Sequence, residues 1–450
     1  MLSPTLTRLN AVAMVVGTII GASIFVQPSE IARHLATPTE IMLVWIACGV
    51  VTLFGAFVCA ELASAFPQTG GLYVFLRETF SPLAGFLWGW AMFWSVHSGI
   101  VAAIAMVFAR YSAQFVPVGD AGIRTIAVAT IVAVSGLCYA GVRASARAQT
   151  ALTVVKVAAI VGLVVVGLTI AATKTPPALA SADAPTAGAS GFLLAMVAGL
   201  FAYGGWHIVT YTAGETTMPS RTIPFALVAG VAVVTFCYVG LNEVYLLLLP
   251  IETVRASTRI AADAADAVAG RGGASFMAAL VMMSSFGGLI GLVLSGPRVY
   301  YSMAADGLVF RWLGRVHPRY HTPSNAIVAQ AIWASVLAAT GAYRELFTRV
   351  IYTEWLFFAL MAVGLMLLRR RPGYQPPYRS WGYPVVPIVF IAASLLIVIN
   401  QIVRTPVEAF TGLGIVALGA PVYYLSRSRI KDQRSGSGMR DPGSGKHSRS

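Results

Sequence analysis

Charge is scarce in this 450-residue chain: 11% of its residues are Asp, Glu, Lys or Arg, against 57% hydrophobic, and the mean hydropathy is +0.76. An ordinary soluble domain carries about 25% charged residues, so this composition excludes one and indicates a polytopic membrane protein. Cysteine is scarce as well. Cys48, Cys59, Cys138 and Cys237 all fall in apolar segments without CxxC or Cys/His spacing, which argues against a zinc site or a disulfide framework and reads them as small core residues. HExxH and GxSxG patterns are missing, as is any clustered Asp/His metal-ligand set. An embedded enzyme therefore lacks support, and neither metal nor cofactor is expected. The first apolar run is long and has no small-residue cleavage context at its end, so no cleavable signal is expected. The net charge of +14 sits in short loops and the tail rather than on an amphipathic face. It reads as membrane topology, not as a nucleic-acid surface.

Apolar windows separated by turn and charge signals predict an all-α membrane protein with about twelve transmembrane helices. They lie near 9–33, 39–66, 84–115, 122–141, 149–172, 190–217, 224–249, 274–303, 324–341, 346–369, 383–403 and 406–426. With the N-terminus inside, the inner loops collect Arg77, Arg143, Arg147, Arg221, Arg311, Arg315, Arg319, Arg369, Arg370, Arg371 and Arg379. The outer loops hold fewer bases, and in 251–271 these mix with Glu252, Asp263 and Asp266. Both termini are thus expected in the cytoplasm. Residues 1–426 form the transmembrane unit; the Ser-, Gly- and base-rich tail 427–450 has no apolar period and reads as disordered.

Two of these spans are interrupted at membrane depth. In Gly17-Thr18-Ile19-Ile20-Gly21-Ala22-Ser23-Ile24-Phe25, small residues weaken the middle of the first. An opened turn in lipid is tolerated where the freed backbone groups line a cavity or meet a ligand. One half-helix would end near Ile19–Gly21 with bare carbonyls, and the next would start near Ser23–Phe25 with bare N–H groups. Those two ends attract cations and anions respectively, so a zwitterion such as a free amino acid could be held there without a charged side chain. Gly17 and Gly21 also form a GxxxG spacing that suits close helix packing. The second interruption, Phe201-Ala202-Tyr203-Gly204-Gly205-Trp206-His207, lies midway along the sixth span. Two broken helices in matching positions, opening spans 1–5 and 6–10, form the pattern of an inverted-repeat secondary transporter.

The two stretches resemble signatures of the amino acid–polyamine–organocation superfamily, and the second is especially similar to the L-type amino acid transporter family and its bacterial relatives. The family's first-span pattern reads roughly GTIIGSGIF, and its sixth-span pattern FAYGGWN matches Phe201 to Trp206, with His207 where Asn is usual and Ser23 where Gly is usual. Glu61-Leu62-Ala63 with Pro67, Gly70-Gly71 and Tyr73 resembles AEL…P…GGxY. Further matches are Glu215, Pro219, Arg221 and Pro224, and then Ser285-Phe286-Gly287 with Ser295, Arg298 and Asp306-Gly307. The resemblance implies the LeuT-like fold of five-plus-five inverted repeats (about 8–172 and 190–369) with two additional helices (383–426). It also implies alternating access and an amino acid substrate. Carried over by position, the substrate carboxylate would meet backbone N–H groups at Gly21, Ala22 and Ser23 and the Ser23 hydroxyl. The ammonium would meet carbonyls around Ile19, Phe201, Ala202 and Gly204. Phe201 would close over the ligand, and Trp206 and His207 would shape the side-chain pocket.

Polar residues inside spans are costly and so are candidates for function. Lys156 resembles the family lysine that stands in for a sodium ion; in that role it would bond first-span carbonyls and make sodium coupling unnecessary. His97 reads first as a neutral histidine satisfied by a nearby carbonyl or hydroxyl, and as a weaker coupling candidate. Glu243 is a weak coupling candidate that could pair with His97 or His207 or face a water-filled vestibule. Glu61 and Glu354 read as structural or lining groups. The GxxxG spacings at Gly85–Gly89 and Gly287–Gly291 read as helix contacts. The expected protein is therefore a sodium-independent secondary transporter of neutral amino acids working by exchange or facilitated uptake. It is placed in the plasma membrane, specifically a bacterial inner membrane. The alternatives are a proton-coupled amino acid or amine symporter and a non-transporting sensor. Because none of the four cysteines lies in a predicted outer loop, no obligatory ancillary subunit is expected.

Overall fold

The computed structural model describes residues 2–21, 23–25, 27–173, 188–257, 259–269 and 272–426. Ala22 and the expected tail 427–450 lie outside the described residues. Among the described residues the secondary structure is helical, apart from one isolated parallel bridge between Leu6 and Thr216. The helices are α1 (Arg8–Ile19), α2 (Gln27–Arg33), α3 (Pro38–Ala65), α4 (Leu72–Thr79), α5 (Pro82–Ala91), α6 (His97–Ser112), α7 (Asp120–Ala140), α8 (Val142–Thr173) and α9 (Gly188–Ala202). They continue with α10 (Pro219–Leu248), α11 (Ile251–Ala256), α12 (Ile260–Ala269), α13 (Gly273–Ala305), α14 (Ser324–Thr340), α15 (Tyr343–Leu368), α16 (Val385–Arg404) and α17 (Pro406–Ala417).

Nine helical segments among the described residues are long and apolar enough to cross a membrane, and three further apolar helices, Arg8–Ile19, Ser324–Thr340 and Tyr352–Leu368, are shorter. Each of the twelve apolar windows holds one of these segments. The broad valine face of α8, with Val154, Val155, Val161, Val165 and Val166 exposed, is a surface made for hydrocarbon.

Local sequence sets several of the boundaries. Thr7 and Asn10 form a capping box at the start of α1, and Thr37 and Glu40 form another at α3, where Pro38 takes the first helical position. Within the third apolar window, a π-helical turn over Met92–Val96 joins α5 to α6. The region 251–271, expected as a charge-bearing outer loop, instead carries α11 and α12. Its alanines explain the difference: Ile260, Ala261, Ala264 and Ala265 fall on one helical face, and all four are buried where α12 packs on α13. The loop after the second span likewise contains α4.

Two apolar windows are interrupted. The first stops as α1 at Ile19 and resumes as a 3-10 turn over Ser23–Phe25 and then α2. The sixth stops as α9 at Ala202 and resumes as a 3-10 segment over Trp206–Glu215. α1 packs against α8, α10, α13 and the 206–215 segment, which places its broken end in the middle of the bundle.

Candidate functional site

The two breaks meet. The Thr18 hydroxyl lies 3.1 Å from the Gly205 carbonyl, and the Tyr238 hydroxyl of α10 lies 3.0 Å from the Ile19 carbonyl and 3.2 Å from that of Ala202. Ser23 adds a long contact, its hydroxyl 3.5 Å from the same Ala202 carbonyl. Ile19 and Ala202 are the last residues of their helices, so their carbonyls have lost the partners that a continuing helix would supply. One tyrosine hydroxyl thus serves the ends of both broken helices.

The first break is also held from α8 and α13. The buried Lys156 Nζ donates to the carbonyls of Ile20 at 2.5 Å, Gly17 at 3.3 Å and Ser284 at 3.4 Å. The Ser284 hydroxyl lies 3.0 Å from the Ile20 carbonyl and 3.3 Å from that of Gly21. An ammonium carries three donors and no acceptor, which suits this array of acceptors.

The two glycines of the first GxxxG spacing have different surroundings. A Cβ at Gly17 would stand 2.5 Å from the Thr153 hydroxyl, so Gly17 is a close-packing position against α8. A Cβ at Gly21 would meet nothing within 4 Å. Packing thus accounts for Gly17 but not for Gly21, which borders open space at the break. Gly85, Gly89, Gly287 and Gly291 each sit within a tight contact with a neighbouring helix or loop, as expected. In the second break, Gly205 has φ +98 and a Cβ there would stand 3.2 Å from the Thr18 carbonyl, so side-chain-free backbone is needed where the breaks touch. Gly204 packs its Cα edge towards the Phe201 carbonyl, which accepts from the Gly204 N–H at 3.1 Å.

The remaining expected residues separate into groups. Phe201 is 42% exposed at the end of α9. Trp206 and His207 are buried among rings, Trp206 against Phe358 and Phe390, and His207 against Trp88, Tyr211 and Phe358. His97 is buried with its Nε2 3.0 Å from the Leu292 carbonyl, an arrangement in which that nitrogen carries the hydrogen and donates. The Glu243 side chain makes no hydrogen bond or ion pair among the described residues and does not pair with either histidine. His207 is instead opposed by Glu354, whose Oε1 lies 3.4 Å from Nε2. That separation is within ion-pair reach, but neither ring nitrogen has an aligned hydrogen bond.

On one face of the bundle, the ends of the broken units are tied together. The backbone N–H groups of Thr5 and Leu6 donate to the Glu215 carbonyl, each at 2.8 Å, and Thr217 N–H donates to that of Leu6 at 2.9 Å. The Glu215 side chain accepts two 2.9 Å bonds from the fully buried Arg298 of α13. Nearby, Asp306 accepts from Tyr73 and Arg77. Burial, with Asp306 beside it, pushes the Tyr73 phenol well above its ordinary range, so it remains a donor at physiological pH. Glu61 accepts from Arg369 at 2.9 and 2.5 Å and from the Ser380 N–H at 2.7 Å, a clamp between α3 and the end of α15 that matches its structural reading. Elsewhere, a cleft of about 290 Å³ lies beside Phe25, with Arg110, Tyr111, Gln114 and Arg259 in its wall; Phe25 links it to the first break.

Tyr238, Ser284 and Thr18 escaped the reading of the sequence. Nothing around Phe236-Cys237-Tyr238 marks that tyrosine, whereas Ser284 adjoins the matched Ser285-Phe286-Gly287 and Thr18 lies within the first motif.

A helical membrane protein whose two interrupted helices meet at a buried polar centre has the build of a permease. The chain belongs to the amino acid permease family, which it matches over residues 6–424. It is 29% identical over 430 residues to the cystine/glutamate transporter of Homo sapiens, covering 93% of this chain and 84% of that protein. Against the serine/threonine exchanger SteT of Bacillus subtilis (strain 168), the identity is 28% over 425 residues, covering 94% and 96%. The large neutral amino acids transporter small subunit 2 of Mus musculus is 28% identical over 430 residues, covering 92% and 80%.

Proposed function

We propose that this chain is a secondary transporter that moves neutral L-amino acids across the plasma membrane by alternating access, through sodium-independent exchange or facilitated uptake. The observation that carries this reading is the meeting of the two breaks. Carbonyls at Ile19 and Ala202 converge on the Tyr238 hydroxyl near Gly21, which borders open space, and Lys156 supplies cationic donors to the Gly17 and Ile20 carbonyls of the same break. A ligand that offers both an ammonium and a carboxylate matches the opposite polarities of the broken ends. In this assignment Gly21, Ala22 and Ser23 receive the carboxylate, and carbonyls of Ile19, Phe201, Ala202 and Gly204 receive the ammonium. Phe201 covers the ligand, while Trp206 and His207 shape the far side of the pocket.

The same reading takes the twelve apolar segments as spans, with two inverted repeats of five and two added helices, and both termini in the cytoplasm of a bacterial cell. Exchange is favoured by the kinship to a protein named as a serine/threonine exchanger, and neutral substrates by that name together with the neutral amino acids in the mouse relative's. The mouse relative is named a small subunit, yet all four cysteines of this chain are buried and free, so a disulfide-linked ancillary subunit is not part of the proposal. Flux in proteoliposomes tests the function: accumulation or counterflow of a neutral amino acid is expected, and saturable binding with neither would mark a sensor instead.

A further inference from the structure

His207 and Glu354 face each other inside the bundle from different elements, the segment after the second break and α15. The Nε2 to Oε1 distance is 3.4 Å, His207 is 1% exposed, and both of its ring nitrogens lack an aligned partner. Trp88 of α5, Tyr211 of the same segment as His207, and Phe358 of α15 present ring faces or edges around the imidazole. The other titratable groups near the pair are His97 of α6, which acts electrostatically on His207, and Tyr300 of α13 and Cys59 of α3, which act on Tyr211. The Tyr211 and Tyr300 hydroxyls and His97 Nδ1 are likewise buried without partners. Among the described residues, no Lys or Arg pairs with Glu354, because Arg298 is engaged by Glu215 and Lys156 by carbonyls.

We propose that His207 and Glu354 together bind one proton that is loaded and released in each transport cycle, so that net entry of an amino acid through this chain carries a proton. This rests on the transporter reading of the same site. With one proton the pair is electrically neutral in either arrangement, as imidazolium and carboxylate or as imidazole and carboxylic acid, and a charge-assisted hydrogen bond closes the gap. Without it, a carboxylate is left buried and uncompensated, which a closed site resists and a site open to water on one side tolerates. His207 stands two residues beyond Gly205, whose φ of +98 marks the bend, so a swing of the 206–215 segment against α15 changes the separation of the pair. The amide usual at this position in the resembling pattern cannot take up a proton.

The test uses the full chain in liposomes with a pH-sensitive dye trapped inside and the membrane potential clamped. Serine, alanine and leucine are supplied outside, one at a time. The expected result is lumenal acidification as an amino acid enters. An acidic exterior should also drive entry into vesicles that hold no amino acid, up to about tenfold accumulation per pH unit for one proton per substrate. In Glu354→Gln the acidification that accompanies each entering molecule should disappear, and Glu354→Met should behave alike if the first variant does not fold. Entry of labelled serine into wild-type vesicles without acidification would overturn the proton proposal while leaving the transporter reading intact. Absence of both entry and counterflow would remove both. Acidification kept in E354Q but lost in Glu243→Gln would move the proton to Glu243 and overturn the assignment.

Discussion

Tyr238 and Ala202 define how the broken helices are joined: the hydroxyl from α10 lies 3.2 Å from the carbonyl that ends α9, and the same hydroxyl lies 3.0 Å from the Ile19 carbonyl that ends the helical part of α1. A hydroxyl has one hydrogen, so it can donate to only one of them at a time. The Ile19 carbonyl also accepts from the Gly21 N–H at 2.8 Å and the Ser23 hydroxyl lies 3.5 Å from that of Ala202, so Tyr238 is the donor that the two helix ends share, and a substrate ammonium bound as proposed would add further donors there.

Tyr238→Phe is accordingly expected to lower stability by about 1 kcal/mol, the net value of one buried hydrogen bond, and to alter substrate affinity more than expression. Thermal unfolding with and without neutral amino acids measures both. An unchanged affinity would show that the carbonyls at the junction are not part of the site.

Lys156 gives a prediction about ions. Its Nζ already occupies the carbonyls of Gly17, Ile20 and Ser284, so replacing sodium by choline should leave wild-type uptake unchanged. Lys156→Met leaves three buried carbonyls short of a donor, each bond being worth about 1 kcal/mol or more, and should abolish uptake. Wild-type uptake that collapses when sodium alone is removed would contradict the assigned role.

Three glycines separate binding from folding. Gly21→Leu points a side chain into open space, so the variant should fold, keep a wild-type unfolding temperature and lose substrate-induced stabilisation. Gly204→Leu should also lose binding, with some loss of stability from the Phe201 carbonyl 3.2 Å from its Cβ. Gly205→Ala meets both a positive φ and the Thr18 carbonyl, so it should lower stability outright. A misfolded G21L protein would return Gly21 to the packing role of Gly17.

Ion pairs on this scaffold should differ sharply in value. Arg298→Leu leaves Glu215 buried and unpaired, at a cost of about 3–5 kcal/mol. Glu252→Ala removes only a contact to Arg255 from a side chain that is 77% exposed, leaving the Arg255 bonds to the Ala32, Leu35 and Ala36 carbonyls in place, and that pair contributes about 0–1 kcal/mol. Comparing unfolding temperatures in detergent checks the order; equal shifts would mean that the Arg298–Glu215 pair does not hold the 206–215 segment.

The helices and their two interruptions were legible because lipid imposes an unusually simple code of long apolar runs, and a glycine cluster within such a run is conspicuous. Lys156 was legible for the same reason, as a charge where charge is costly. Tyr238 and Ser284 were not, because tyrosine and serine are unremarkable in a membrane helix and only the packing of α10 and α13 on α1 brings them to the break. The partner of His207 was also hidden: 147 positions along the chain separate it from Glu354, and no periodicity links α15 to the sixth span. The helices α11 and α12 were masked by their own charges, which read as loop until the alanine face is set against α13.

Counterflow in proteoliposomes tests the central claim most directly. Vesicles are loaded with one unlabelled neutral amino acid, labelled alanine, serine or leucine is supplied outside, and buffers with and without sodium are compared. With equal pH on both sides, saturable uptake that the internal amino acid accelerates and that is indifferent to sodium is the predicted result. Saturable binding without counterflow, or counterflow that requires sodium, would contradict it.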